Sequence, residues 1–413
     1  MATARKARKT ETRTKRLAAT TAPADLTSFE TIAEEISARI RNVHMPYGTL
    51  MDPIFASPES DEIISYTHTG DSAIWTGHYL AAEAFRYRVT RHPVALDNVT
   101  AAIEGIRGLV DITNNDVLAR VAVPTDSPYA ADIQKEEGGH GVFTGRLQNS
   151  DFFWIGNTTR DQYSGALFGL GVALEMVDDA AVQLEVTELI RRLVNYLVSH
   201  VWTVRMPDGK ISTVFVQRPD QQLAFLQIAR KAAPGEFNTR YKAAALTLSP
   251  AITVPILYDG FDDHHSYFKF NLNTINMYSL LRFENSRTVF YKPYTSSYDR
   301  LRRTTAGHQN AHFNMIDRAI KGENQRRDDE TVRLLNAWLE RPRRDPFVDL
   351  RGTLAACGED RACDVIPVPQ RPTTDFLWQR SPFLLFGGGV GIVEGAGIDF
   401  ILPYWMARFF GVI

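Results

Sequence analysis

Cysteine is nearly absent from this sequence. The 413 residues hold two, Cys357 and Cys363, too few to complete a structural zinc site by themselves. They flank Gly-Glu-Asp-Arg-Ala, so a small disulfide loop is favoured over two thiols, and with it an oxidising compartment. Charge of one sign is also lacking. The formal net charge of −2 argues against nucleic acid or a membrane surface as partner. No apolar run is long and unbroken enough to span a bilayer. Residues 383–413 come nearest, but Glu394, Asp399, Pro403 and Arg408 interrupt them. A secretory h-region is missing too, which points to the cytoplasm, whereas a Cys357–Cys363 disulfide would point to export; the compartment stays open. No His-Glu-x-x-His signature occurs, no Asp-x-Asp-Asp motif, and no fixed repeat period.

What is present is helical periodicity. Residues 1–24, with Lys6, Arg8, Lys9, Arg13, Lys15 and Arg16, read as a disordered basic tail, or else as a targeting or nucleic-acid arm. Residues 25–413 read as one domain. Helices are expected at 26–43, 71–90, 93–113, 160–177, 180–201, 220–231, 237–257, 266–282, 308–320, 328–339 and 398–410, with a partial helix at 298–304. An Asp208-Gly209 turn between alternating stretches predicts a β-hairpin over 201–216. Residues 114–157 are too long for a plain connection. Residues 342–380 are expected to be loop, and Gly387–Gly391 flexible backbone beside a cavity.

Nearly apolar stretches such as 71–85 and 160–171 alternate with amphipathic ones such as 182–197. The first kind belongs inside and the second covers it. Six such pairs predict an all-α fold, an (α/α)6 toroid of helical hairpins with a small β-hairpin and an irregular C-terminal segment.

The starts of the proposed inner helices share polar clusters: Gly70-Asp71-Ser72, Arg160-Asp161-Gln162, Pro219-Asp220-Gln221-Gln222, His264-His265-Ser266-Tyr267, His308-Gln309-Asn310-Ala311-His312 and Gly397-Ile398-Asp399. Each alone reads as an N-cap. Together, at parallel inner helices, they would meet on one rim around an aromatic-lined hollow. Trp75, Tyr163 and Trp378 stand beside charges there and could stack on a sugar ring.

The stretches Asp71-Ser-Ala-Ile-Trp-Thr-Gly77 and Arg160-Asp-Gln-Tyr-Ser-Gly-Ala-Leu-Phe-Gly-Leu170 resemble the six-hairpin glycosidase superfamily, most of all its unsaturated glucuronyl and rhamnogalacturonyl hydrolases. The resemblance implies aspartates at inner-helix starts flanking the sugar, and a triplet of Arg-Gly-Gln type before an apolar helix. Here Asp161 replaces the usual Gly.

Glycoside hydrolysis needs two carboxylates, one protonated and one ionised. Asp161 is expected as general acid and Asp71 as its partner, with His78 two turns deeper on the Asp71 face and His312 as further catalytic candidates. Arg160 would hold a substrate carboxylate, with Gln162, Tyr163, Trp75, Asp220, His265, Tyr267, His308, Asn310, Trp378 and Arg380 as further binding residues. Glu136-Glu137-Gly138-Gly139-His140 reads as an exposed acidic turn or a flap. The substrate would be an oligosaccharide or other small molecule, with no cofactor, membrane or nucleic acid involved and the oligomeric state open. His308 and His312 are four apart, and with His264-His265 they have a zinc-like look; paired hydrogen-bonded histidines without a metal are the preferred account. Alternatives are a polysaccharide lyase or sugar epimerase on the same scaffold, an isoprenoid cyclase or transferase, and a non-catalytic glycan-binding toroid.

Overall fold

The structure, a computed structural model, describes residues 26–413 except Thr374; the basic tail expected at 1–24 lies outside them. Fourteen α-helices are described. In chain order they are α1 (Leu26–Arg39), α2 (Ser72–Thr90), α3 (Pro93–Asp111), α4 (Ala130–Glu137), α5 (Arg160–Met176), α6 (Ala180–Ser199) and α7 (Pro219–Ala232). There follow α8 (Pro234–Leu248), α9 (Thr253–Asp259), α10 (Phe268–Arg282), α11 (Tyr291–Thr305), α12 (Ala311–Lys321), α13 (Gln325–Trp338) and α14 (Ile398–Phe409).

Six of them form a closed inner ring. α2, α5, α7, α10, α12 and α14 each pack on the next, and α14 returns to α2. The outer ring is α3, α6, α8, α11, α13 and α1, each against its inner partner, with α1 covering α14. This is the expected (α/α)6 toroid. Its closure rests on the chain ends: Phe29 of α1 meets Phe400 and Tyr404 of α14 edge-on, and Arg408 donates to Glu30 at 2.9 Å.

Composition dictates the layers. α2 and α5 are buried over almost their whole length, whereas α6 buries one stripe. Where α2 crosses α5 the backbones touch: a Cβ on Gly77 would lie 2.0 Å from the Gly165 carbonyl oxygen. α5 also reaches α10 directly, with Asn276 Nδ2 donating to Ser164 Oγ at 3.1 Å. The hollow is therefore filled with side chains below the rim.

The β-structure exceeds the expected hairpin. That hairpin forms, as β6 and β7 below, but residues 114–157 hold a three-stranded sheet and the C-terminal third belongs to a four-stranded one. Strands in chain order are β1 (Asp52–Phe55), β2 (Ile63–Thr67), β3 (Ala122–Pro124), β4 (Val142–Leu147), β5 (Ser150–Ile155), β6 (Thr203–Arg205), β7 (Ile211–Val214), β8 (Arg344–Asp349) and β9 (Phe386–Glu394). The sheets run β2-β1-β9-β8, β3-β5-β4 and β6-β7, all antiparallel, with Ile54 opposite Val393 and Arg344 opposite Glu394. Residues 344–349 are thus strand, not loop, and Gly387–Gly391 lie in β9. The glycines permit close approach: a Cβ on Gly388, at φ +104°, would sit 2.2 Å from the Pro346 carbonyl oxygen. Cys357 and Cys363 form the disulfide.

Candidate active site

Three of the six polar helix starts converge on one short segment, residues 376–379. Leu377 N–H donates to Asp399 Oδ2 at the start of α14 (2.9 Å), and Leu377 carbonyl accepts from Asn310 Nδ2 ahead of α12 (3.2 Å). Gln379 Nε2 then reaches Asp71 Oδ2 at 3.5 Å. Asp71, Trp75, Asp161, Asn271, Trp378 and Gln379, with Ile74, Phe268 and Leu272, line a cavity of about 230 Å³. Both carboxylates and two indoles picked from the sequence therefore share one hollow.

Asp71 does not cap its helix, since its side chain makes no bond to the α2 backbone. Its Oδ1 instead accepts from Gln162 Nε2 at 3.2 Å, and Arg120 Nη1 stands 3.9 Å away. The turn before it is gripped from below. Glu137 Oε1 accepts from Gly70 N–H at 2.8 Å, and Arg120 Nη1 donates to Gly70 carbonyl at 2.9 Å. Burial pushes the Asp71 carboxyl up, against the opposing charge of Arg120.

Asp161 lies in the first turn of α5, whose cap is Thr159 in a capping box with Gln162. Freed from capping, its carboxyl is pushed up to about 6, by burial first and by the charge of Asp71 second, with Arg160 and Arg120 opposing. Both acids of the cavity are thus raised in proton affinity, and the charge of Asp71 adds to the rise at Asp161.

A buried aromatic layer lies beneath. Trp378 stacks on His78 with centroids 5.2 Å apart, and His312 lies 4.7 Å from Trp378 and 6.1 Å from His78. His78 donates from Nδ1 to Ile74 carbonyl at 2.9 Å, and Asn271 Nδ2 donates to its Nε2 at 3.1 Å. Burial lowers it to about 4 and holds His312 well below the usual imidazole range. Both rings are neutral at pH 7. His312 has no hydrogen-bond partner among the described residues.

Other expected binding residues stand elsewhere. Tyr163 is fully buried, its hydroxyl accepting from Leu118 N–H at 3.2 Å. Asp220 is buried in a network in which Arg218 bonds it, Asp259 and Asn273, each at 2.7 Å at the shortest. Tyr267 and His308 pack on each other and on Phe270, outside the cavity lining. Asn310 is a true N-cap, accepting from Phe313 N–H. Arg380 pairs with Asp375, and His265 is exposed beside Asp360. Arg160 makes no hydrogen bond or ion pair among the described residues. His308 precedes the cap of α12 and His312 lies within the helix, so the two do not share a helical face. Glu136 and Glu137 form no flap: Glu136 takes Thr67 Oγ1 at 2.5 Å, and Glu137 is buried under Gly70. Sequence reading missed Asn271, Gln379 and Arg120 and took Glu137 for part of a turn or flap; none carries a local signal of its role, because each works through a partner at least 50 residues away.

No protein-family model matches the sequence, and comparison with the curated proteins finds no match. Among solved structures the chain is similar to cellobiose 2-epimerase from Spirochaeta thermophila DSM 6192, at 10% identity and a TM-score of 0.43, over 94% of this chain and 99% of that one.

Proposed function

We propose that the chain is a carbohydrate-active enzyme, a glycoside hydrolase that cleaves an acidic, uronic-acid-containing glycan with Asp161 as general acid and Asp71 as the ionised partner. The observation that carries this reading is the pair of carboxylates in one indole-lined cavity, the Asp161 carboxyl raised to about 6. A carboxyl with that affinity keeps a proton in weak acid and can pass it to a leaving-group oxygen. Asp71, gripped by Gln162 and Gln379 and faced by Arg120, takes the role of the ionised partner, which can activate water or stabilise developing positive charge on the sugar. Trp75 and Trp378 give the cavity an apolar wall for a pyranose ring, Trp378 itself being buried against His78 and Phe376. The charge of Arg160, felt at Asp161 from outside the cavity lining, favours an acidic substrate.

The resemblance to unsaturated glucuronyl hydrolases belongs to the same reading. Epimerisation is the second one, supported by His78 and His312, two neutral imidazoles 6.1 Å apart of the kind proton abstraction needs. Against it, both rings are buried. Incubation with uronic-acid oligosaccharides and with neutral disaccharides, followed by chromatography of the products, separates the two. New reducing ends from the uronates support hydrolysis. An isomeric disaccharide of unchanged mass from a neutral substrate would replace that reading with epimerisation, and no turnover of either panel would sink both.

A further inference from the structure

Away from the cavity, the loop before α10 meets the disulfide loop. His264, His265 and Asp360 each bring one ligand atom to a common point, all within 4.8 Å of one another. His264 is 6% exposed, and its Nε2 stands 3.1 Å from Asp360 Oδ1 without making a hydrogen bond. Its other nitrogen, Nδ1, is 2.7 Å from Ser381 Oγ. That contact orients the ring and leaves the buried Nε2 lone pair without a partner when Nδ1 carries the proton. His265 Nε2 is 3.9 Å from Asp360 Oδ2, and its Nδ1 is 3.5 Å from Asp262 Oδ1.

We infer that His264, His265 and Asp360 form a binding site for a divalent transition metal, zinc in the first place. Two imidazoles and one carboxylate are the ligand types of zinc and its neighbours, whereas calcium and magnesium prefer oxygen alone. Ligands about 2.0–2.2 Å from a tetrahedral ion lie roughly 3.3–3.6 Å from one another, so the present spacing closes with a small rotation of the exposed His265 ring. Ser381 on His264 takes the role that a hydrogen-bond partner plays behind a metal-bound imidazole, and Asp262 Oδ1 stands within 3.5 Å of His265 Nδ1. The backbone is held as well. Cys357–Cys363 closes the loop, Leu385 N–H donates to the Asp360 carbonyl at 2.8 Å, and Arg361 pairs with Asp263 at 2.5 Å. None of the three ligands lines the cavity of Asp71 and Asp161, so the site is independent of the proposed hydrolysis. A bound ion would clamp the segment before α10 to the disulfide loop.

The test is titration of the chelator-stripped, disulfide-intact full chain with Zn²⁺ against a chromophoric competitor, and with Co²⁺ read by its d–d absorption. One equivalent is expected to bind, the Co²⁺ bands are expected to appear, and His265→Ala and Asp360→Asn are each expected to weaken binding at least about tenfold. His265 is exposed, so that variant should keep its metal-free circular dichroism and melting temperature. No stoichiometric binding by the unmodified chain, or equal binding by a folded His265→Ala chain, overturns the site.

Discussion

Asp161 gains its place from two constraints that a helix start imposes. Thr159 already caps α5, and residue 161 in the first turn faces the cavity rather than the backbone. Its raised affinity makes function and stability pull apart. A carboxyl whose folded pKa, about 6, exceeds its ordinary 3.8 favours the fold while protonated; that contribution is present below the ordinary value and lost as pH rises through 6. Asp161→Asn should therefore lower kcat/KM by about 100-fold or more and raise the melting temperature at pH 8, with no such gain below pH 3.8. Calorimetry at the two pH values together with the rate assay checks both; a variant less stable than wild type at pH 8 contradicts the burial argument. As general acid, Asp161 also places the fall of kcat/KM on the basic side near pH 6. Because the charge of Asp71 helps to raise it, Asp71→Asn should lower the Asp161 pKa. Titration of the Asp161 carboxyl by ¹³C NMR would show that shift, and an unchanged midpoint would mean that the two acids do not interact. The same helical geometry explains Tyr163, misread from its neighbours. Two residues on from Asp161 is a rotation of about 200°, which turns it from the cavity into the core. Asp71, Trp75 and His78, spaced four and three apart, share a face and were legible for that reason.

At the scale of elements, the α2–α5 crossing carries the site, since Asp71 and Asp161 stand at the starts of these two helices. Gly77, Gly165 and Gly169 let them touch: a Cβ on Gly169 would fall 2.2 Å from the Gly77 carbonyl oxygen. Gly77→Ala should cost on the order of 3 kcal/mol or more, because backbone and not a flexible side chain blocks the methyl. Gly138→Ala, with nothing within 4 Å, is the control. Urea denaturation of both variants reads the difference, and equal stabilities would mean that the helices are not in backbone contact. Helices α1 to α3, α5 to α8, α10 and α12 to α14 were legible because burial repeats with a local period, whereas α4, inside residues 114–157, was not. β8 and β9 were not. Their partners lie about 40 residues apart, bulges break the alternation, and proline and glycine, which weaken a strand signal, here serve a close approach between strands.

For the whole molecule, the packed centre sets the acid limit. His78 and His312 are enclosed and neutral, so the unfolded chain takes up protons first. A histidine lowered to about 4 contributes stability that is present above 6.5 and lost as pH falls toward 4, about 3 kcal/mol for His78. Asp161 works in the opposite direction over part of that range, so the informative measurement is a difference. The stability gap between wild type and His78→Gln should shrink by about 3 kcal/mol between pH 7 and pH 4 in denaturant titrations. A constant gap would show that His78 is hydrated in the folded state.

The sequence alone determined the helical rings, because each helix declares by its own periodicity how many of its faces must leave water. It also determined that acids precede the apolar runs. Tertiary structure alone decided which of those polar groups share a cavity and which are spent on one another. Asp220 is neutralised by Arg218 and Asp399 is taken by Arg341, Trp338 and Leu377, while Asp71 and Asp161 remain turned toward the hollow. That choice depends on side chains brought from distant parts of the chain, and it costs too much to leave a buried charge unpaired for any helix to settle it by itself.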